Sequence, residues 1–109
     1  MNKTLFIAAT YAKPGRQQDL IDCYRNEHLP DMRKVPGMGS ITLYRVAPYK
    51  LPEGGPPPDA FIVHEIEGDL SEVLREVKER SISGQVRHTD ALDGTRSIVF
   101  VTELDKYFP

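Results

Sequence analysis

The feature that most constrains this chain is the order in which two hydrophobic periods alternate along it. Short apolar segments typical of strands lie at 5–11, 40–46, 60–67 and 97–104. Segments with helical spacing follow the first and the third of them, beginning near Arg16 and Asp69. This βαββαβ order predicts an α+β, ferredoxin-like fold with a four-stranded antiparallel sheet and two helices on one face. Residues 1–109 are predicted to form one such domain.

Two local signals set the predicted limits of the helices. Asp69 can cap the second helix, with Glu72 in capping-box relation. Apolar residues then recur at helical spacing and are predicted to face the core: Leu70, Val73, Leu74 and Val77. Pro30 lacks an amide hydrogen and disfavours helical geometry at Leu29, so the first helix is predicted to end there, with a short new turn starting at Pro30.

The first and last strands are apolar on both of their faces. The first has Leu5, Ile7 and Ala9 on one side and Phe6 and Ala8 on the other, and 98–101 is apolar throughout. Two helices cover only one face of a sheet, and a solvated face of an antiparallel sheet should carry polar residues. We therefore predict a homodimer in which two copies of the sheet pack face to face.

Composition excludes several classes of function. The net charge of −2 provides no field for polyanions, so nucleic acid and membrane are not expected partners. Cys23 is the only cysteine, no cluster has the spacing of a metal site, and the N-terminal apolar run is short. These features predict a cytoplasmic protein without a metal site.

His28 is the leading candidate for chemistry. At about 100° per residue, it falls on the same arc as Leu20, Ile21 and Tyr24, and it lies where Pro30 interrupts the helix. Helix-end carbonyls favour the charged imidazole and burial opposes it, so His28 can titrate near neutrality and transfer protons. The alternative is a partly buried histidine that only bonds the last carbonyls of the helix.

The stretch 13–46 resembles the EthD-like family of the dimeric α/β-barrel superfamily. The resemblance depends on the sequence N-E-H-L-P-D at 26–31, the V-P-G turn at 35–37 and the second strand. It implies a ferredoxin-like protomer, a dimer joined through its sheets, and a small pocket between sheet and helices that His28 lines. Relatives in the superfamily include cofactor-free isomerases and polyketide cyclases, and haem-degrading and quinol-forming monooxygenases.

Four further residues are candidates for the pocket. His64 lies on an apolar strand face, where it is either a second acid/base or a hydrogen-bonded core histidine. Tyr24 shares the inner helix face with His28, and Tyr44 can donate a hydroxyl to a ligand; both are predicted to bind substrate. Asp31 can contact substrate or orient His28, or it only stabilises the turn at Pro30. His88 lies in a polar stretch and is predicted to be a surface residue.

The inward position of His28 and the resemblance to this family together imply a small-molecule-binding enzyme, a cofactor-free isomerase, cyclase or lyase without a metal. Its histidine acid–base chemistry would act on a small organic acid, a lactone or an aromatic, polyketide-like molecule. The alternatives are a non-catalytic dimeric ligand-binding or accessory protein and a haem-degrading or quinol-forming monooxygenase. The proline-rich loop at 50–59 is predicted to be stiff, as a pocket lid or a dimer arm.

Overall fold

The computed structural model describes residues 3–49 and 51–105. Four antiparallel strands form one sheet in the order β2-β3-β1-β4. The strands are β1 (Lys3–Thr10), β2 (Met38–Arg45), β3 (Ala60–Ile66) and β4 (Ile98–Leu104). The helices lie on one face of the sheet, so the predicted ferredoxin-like α+β fold is confirmed. No helix in these two ranges is both long enough and apolar enough to span a bilayer.

The strand register assigns each side chain to one face of the sheet. Phe6 lies opposite His64, and His64 lies opposite Ile41, so these three side chains share the face that packs on the helices. Ile7 of β1 and its partner Phe100 of β4 point to the opposite, outer face of the sheet. On that outer face the apolar side chains of β4 are exposed, as is Tyr44 of β2.

The first helical region continues past the proline. It consists of α1 (Gln17–Cys23), a π-helical turn (Tyr24–His28) and α2 (Leu29–Arg33). The prediction that the helix ends at Leu29 was therefore wrong. In the π turn the Leu29 N–H donates to the Tyr24 carbonyl, five residues back. The wider turn gives the Pro30 ring room where an α-helical bond would have required its missing amide hydrogen.

The second helical region, α3 (Leu70–Ser83), has the predicted cap. The Glu72 N–H donates to Asp69 Oδ1 over 3.0 Å. Val73 is buried, and Leu70 and Val77 are half-buried against the core. Leu74 is 36% exposed, so its predicted place in the core was wrong: α3 turns only the Val73 edge of its apolar stripe inward.

The V-P-G turn connects α2 to β2. Gly37 has a φ of +87°, a conformation that L residues with side chains rarely adopt. A Cβ atom there would lie 2.7 Å from Val73 Cγ2 and 3.2 Å from the Gly68 Cα. The turn therefore needs glycine both for its backbone and for the close approach of α3.

Candidate functional site

A cavity of about 240 Å³ lies between the helix-facing side of the sheet and the helices. Its wall is mostly apolar, with contributions from β1, β3, α1, α3 and the segment between α3 and β4. All three histidines of the chain reach it. The lining side chains are Phe6, Ala8, Thr10, Leu20, Cys23, Tyr24, His28, Met32, Ile62, His64, Val77, His88, Thr89, Leu92 and Val99.

His28 reaches the cavity from the π turn, on the inner helix face as predicted. Its Nδ1 lies 2.7 Å from the Arg87 carbonyl oxygen. A carbonyl oxygen only accepts, so in the neutral ring we assign the hydrogen to Nδ1 and the lone pair to Nε2. Among the described residues only Nδ1 of this ring is hydrogen-bonded. Burial lowers the pKa of His28, and the neighbouring His88 and His64 lower it further, while the Arg87 carbonyl acts in the opposite direction.

His64 repeats this arrangement from the sheet. Its Nδ1–H donates to the Phe6 carbonyl over 2.9 Å, and the ring is 2% exposed. Nε2 is the ring nitrogen farther from the strand, so it points toward the helix layer. It is buried and has no hydrogen-bond partner within the described part of the chain. Burial lowers the pKa of His64, so this imidazole is neutral at pH 7 with an unused lone pair.

His88 is the site residue that sequence reasoning missed. It was predicted to be a surface residue, and it is exposed, but its ring centroid lies 4.8 Å from that of His28. Its Nε2 lies 2.9 Å from Ser81 Oγ on the last turn of α3. The irregular segment after α3 carries no periodic signal, so nothing in the sequence indicated that it folds back over the mouth of the cavity.

Asp31 and His28 both bond Arg87. Its buried carboxylate accepts from the backbone N–H of Arg87 over 3.0 Å and from two guanidinium nitrogens over 2.8 and 3.1 Å. The Arg87 side-chain and backbone donors lower the pKa of Asp31 to about 2. This clamp fixes the carbonyl to which His28 donates. Asp31 does not line the cavity. Its predicted contact with substrate therefore has no support in its position, and its predicted role in orienting His28 stays a prediction.

The two tyrosines predicted to bind substrate lie on opposite sides of the sheet, Tyr24 in the helix layer and Tyr44 on the outer face. Tyr24 lines the cavity, and its hydroxyl donates to Thr10 Oγ1 over 2.9 Å. Tyr44 pairs with Phe61 on the outer face, where it is 54% exposed. The structure does not bring Tyr44 to His28 and His64. The alternation along β2 was predicted, but which of its faces meets the helices was not readable from the sequence.

The wall of the cavity lacks formal charge. Over residues 3–49 and 51–105, no Lys, Arg, Asp or Glu side chain lines it. Within the same ranges no group of three or more His, Cys, Asp or Glu side chains is placed to hold a metal ion. The site therefore places the imidazoles of His28 and His64 in an apolar surrounding of low dielectric. A hydrogen bond to an imidazole nitrogen is stronger there than in water.

The lowered histidine pKa values predict how stability depends on pH. A histidine in the unfolded chain has a pKa of about 6.5, and burial holds the pKa of the folded His64 below that value. Below about pH 6.5 the unfolded chain therefore binds more protons than the folded one. The free energy of unfolding should therefore decrease as the pH falls below about 6.5. Urea unfolding at pH 7.5 and pH 5.5 measures this. In His64→Asn, which keeps a donor near the Nδ1 position but does not titrate, the decrease should be smaller. An identical decrease in both proteins would contradict a buried neutral His64.

Known structures place the fold in a class. No protein-family model and no curated protein matches the chain. An ethyl tert-butyl ether D (EthD) family protein of Bacillus halodurans matches with a TM-score of 0.67 and 22% identity, covering 94% of this chain and 99% of that one. The haem-degrading MhuD of Mycobacterium tuberculosis, solved with two haems bound in its active site, matches with a TM-score of 0.67 and 16% identity over 97% and 99%.

An EthD-like protein of Ralstonia eutropha matches with a TM-score of 0.61 and 8% identity, covering 94% of this chain and 92% of that one. At these identities the likeness shows the fold alone. This chain shares the ferredoxin-like α+β fold with these proteins. The predicted resemblance to EthD family proteins is confirmed at that level.

Proposed function

We propose that this protein is an enzyme that moves a proton on a small, largely apolar organic molecule, as an isomerase or cyclase does. One observation carries the proposal: two neutral imidazoles, His28 and His64, each bond a backbone carbonyl through Nδ1 and keep Nε2 unpaired at one small cavity. His64 Nε2 is a buried acceptor without a partner in the described part of the chain. Such an atom is costly to a fold and is often found where a ligand completes it. The pair provides bases of suitable strength for work near neutral pH.

His28 is assigned as the base that takes the proton. Its Nε2 removes a proton from a carbon next to a carbonyl group, which leaves an enolate and an imidazolium. The Arg87 carbonyl stabilises the imidazolium through Nδ1–H, and the Asp31 clamp holds that carbonyl in place. Where the substrate has a double bond next to that carbon, as α-angelica lactone does, the anion is a dienolate, and return of the proton to its far carbon gives the conjugated isomer. No electrons are gained or lost, so the step balances within the site.

The size of the cavity limits the substrate. About 240 Å³ is below the roughly 300–1,000 Å³ typical of sites for drug-sized ligands. A porphyrin is larger than a drug-sized ligand, so the cavity is too small for the haem that MhuD binds. The geometry therefore favours proton transfer on a small molecule over haem degradation.

We also propose that the protein is a homodimer joined through the outer sheet face. The exposed apolar side chains of β4 on that face, Ile98 and Phe100, lie beside Ala9 and Ile7 of β1. Phe100→Glu should convert a dimer at micromolar concentration to a monomer, because it places a charge in the apolar interface. Ile82→Glu, at an exposed position on α3, is the matched control and should stay dimeric. A wild-type protein that sediments as a monomer would refute the dimer.

The experiment for the function uses two neutral probes with an acidic C–H group. α-Angelica lactone is assayed for isomerisation to its conjugated isomer, and β-tetralone for incorporation of deuterium from heavy water, both by NMR. The rate with wild-type protein should exceed the buffer rate and rise with pH to a plateau at about 6.5 or above, because the base has a lowered pKa. Rates equal to buffer for both probes would refute proton transfer and leave a binding protein.

A further inference from the structure

We propose that the substrate is a carbonyl compound that also carries one hydrogen-bond donor, a hydroxyl or N–H group, and that this donor bonds to Nε2 of His64. The reacting C–H group lies at the other end of the molecule, at Nε2 of His28. This substrate class rests on the proposed function and adds a recognition residue to it. The two imidazoles then have different tasks, since His28 takes a proton and His64 binds the substrate.

The donor requirement comes from one atom of His64. Among the buried side-chain nitrogen and oxygen atoms of residues 3–49 and 51–105, only Nε2 of His64 has no hydrogen-bond partner. The Nδ1–H donates to the Phe6 carbonyl, so Nε2 carries a lone pair and can only accept. The Phe6 ring also packs edge-on against the imidazole, with centroids 5.4 Å apart. A ligand that completes Nε2 must therefore bring a donor.

The other polar groups of the inner wall are already satisfied by the protein. The Tyr24 hydroxyl donates to Thr10 Oγ1 over 2.9 Å, and the Thr10 hydroxyl lies 3.5 Å from the Ala60 carbonyl oxygen. Both hydroxyl hydrogens are thus directed to protein oxygens. Neither residue needs a ligand to complete a buried polar group, whereas His64 does.

The surroundings of the two imidazoles explain why His28 rather than His64 takes the proton. Burial lowers the pKa of His28, but the Arg87 carbonyl and the Asp31 carboxylate act in the opposite direction. Burial also lowers the pKa of His64, and within the described part of the chain only the Phe6 carbonyl opposes it. A charged ring is therefore less well stabilised at His64, which stays neutral and leaves the hydrogen on the group that it binds.

The fold separates the two ends of the substrate. His28 reaches the cavity from the π turn in the helix layer, and His64 reaches it from β3 in the sheet. Ala8, Leu20 and Ile62 line the same cavity and provide an apolar surface for the body of the molecule. The enolate forms beside the His28 imidazolium that has taken the proton, and the donor at His64 has no part in that step.

Selection for the donor should be strong because Nε2 of His64 is already withdrawn from bulk water. The protein loses no further hydration there when a hydroxyl binds, and the new bond forms in surroundings of low dielectric. Sites built to bond a hydroxyl reject analogues that lack it far more sharply than apolar pockets reject a missing methylene. Molecules without a donor, such as α-angelica lactone and β-tetralone, still present a C–H group to His28 but are the poorer substrates.

The test compares β-tetralones that carry hydrogen, hydroxyl or methyl at position 6 or 7 of the aromatic ring. A methyl group is close in size to a hydroxyl group and cannot donate. Wild-type protein is assayed for deuterium incorporation, with each rate divided by that in buffer, and for binding by amide NMR titration. At the better position, kcat/KM for the hydroxyl compound should exceed that for the methyl compound by roughly five- to a hundredfold, mainly through a lower KM.

Two variants identify the acceptor. His64→Asn keeps a donor near Nδ1 for the Phe6 carbonyl but has no atom near Nε2, so the hydroxyl compound should lose its advantage over the methyl compound. Tyr24→Phe is the matched control, because it removes a hydroxyl that lines the same cavity, and it should keep that advantage. Amide spectra show that both variants are folded. Loss of the advantage in Tyr24→Phe but not in His64→Asn would overturn the proposal.

The wild-type series separates the substrate class from the proposed function. Hydroxyl compounds that are no better than their methyl partners at both positions would overturn the substrate class. Selective binding of a hydroxyl compound without exchange of any compound would refute proton transfer alone, whereas exchange without hydroxyl selectivity would refute the substrate class alone. A protein that neither binds nor exchanges any of them would refute both.

Discussion

Replacing His28 with asparagine should slow the isomerisation of α-angelica lactone by roughly 10²–10⁴-fold, the range supplied by a positioned general base. Asparagine can still donate to the Arg87 carbonyl from a position near that of Nδ1, so the π turn and its contact with the loop are retained. The Nε2 lone pair is lost, together with the ring contacts to Tyr24 and His88. A rate within threefold of wild type would show that another group takes the proton.

Two measurements make the His28→Asn result specific. His28→Gln places its amide near the Nε2 position and loses the Arg87 contact, so it should be as inactive and also less stable. Asp31→Asn weakens the clamp on Arg87 and leaves the imidazole in place. It should reduce the rate less than His28→Asn and move the pH at which the rate reaches its plateau, which a purely structural role would not do.

Replacing Leu20 with alanine should lower the free energy of unfolding by about 2–5 kcal/mol. Leu20 is fully buried, in the main core cluster, between α1 and the strand residues Ala8 and Ile62. The substitution removes its contacts with the core cluster and enlarges the cavity that Leu20 already lines. The expected fall in melting temperature is on the order of 10 °C or more for a domain of this size.

Leu74→Ala is the matched control for this prediction. It removes the same atoms from α3 at a position that is 36% exposed, where less of the side chain is withdrawn from water. Its cost should be well below that of Leu20→Ala, as measured by urea unfolding of both variants. Equal costs for the two would mean that α3 packs more deeply than described.

Much of the fold was readable from the sequence because the strands and helices have clear periods. The four strands, the Asp69 cap and the inward position of His28 follow from local rules about alternation, capping and helical geometry. The end of the first helix was not predictable, because the π turn before Pro30 depends on tertiary packing that holds the wider turn. Leu74 was misplaced for a similar reason, since periodicity gives the apolar stripe of a helix but not its depth.

The site was only partly predictable because it is assembled by long-range contacts. His64 and Tyr44 lie on strands whose alternation was clear, but the face that meets the helices is decided by the register of the whole sheet. The Asp31–Arg87 clamp joins residues far apart in sequence, and His88 lies in a segment without regular structure. No local pattern signals such contacts.

The measurement that most directly tests the central claim is the tautomeric and charge state of the two imidazoles. Long-range proton–nitrogen correlation spectra of protein labelled with ¹⁵N-histidine report which ring nitrogen carries hydrogen, and His28→Asn and His64→Asn assign the signals. We predict that both rings are neutral at pH 7, with hydrogen on Nδ1 and a bare Nε2, and that both titrate below about 6.5. A charged ring at pH 7, or hydrogen on Nε2 of either residue, would contradict the account.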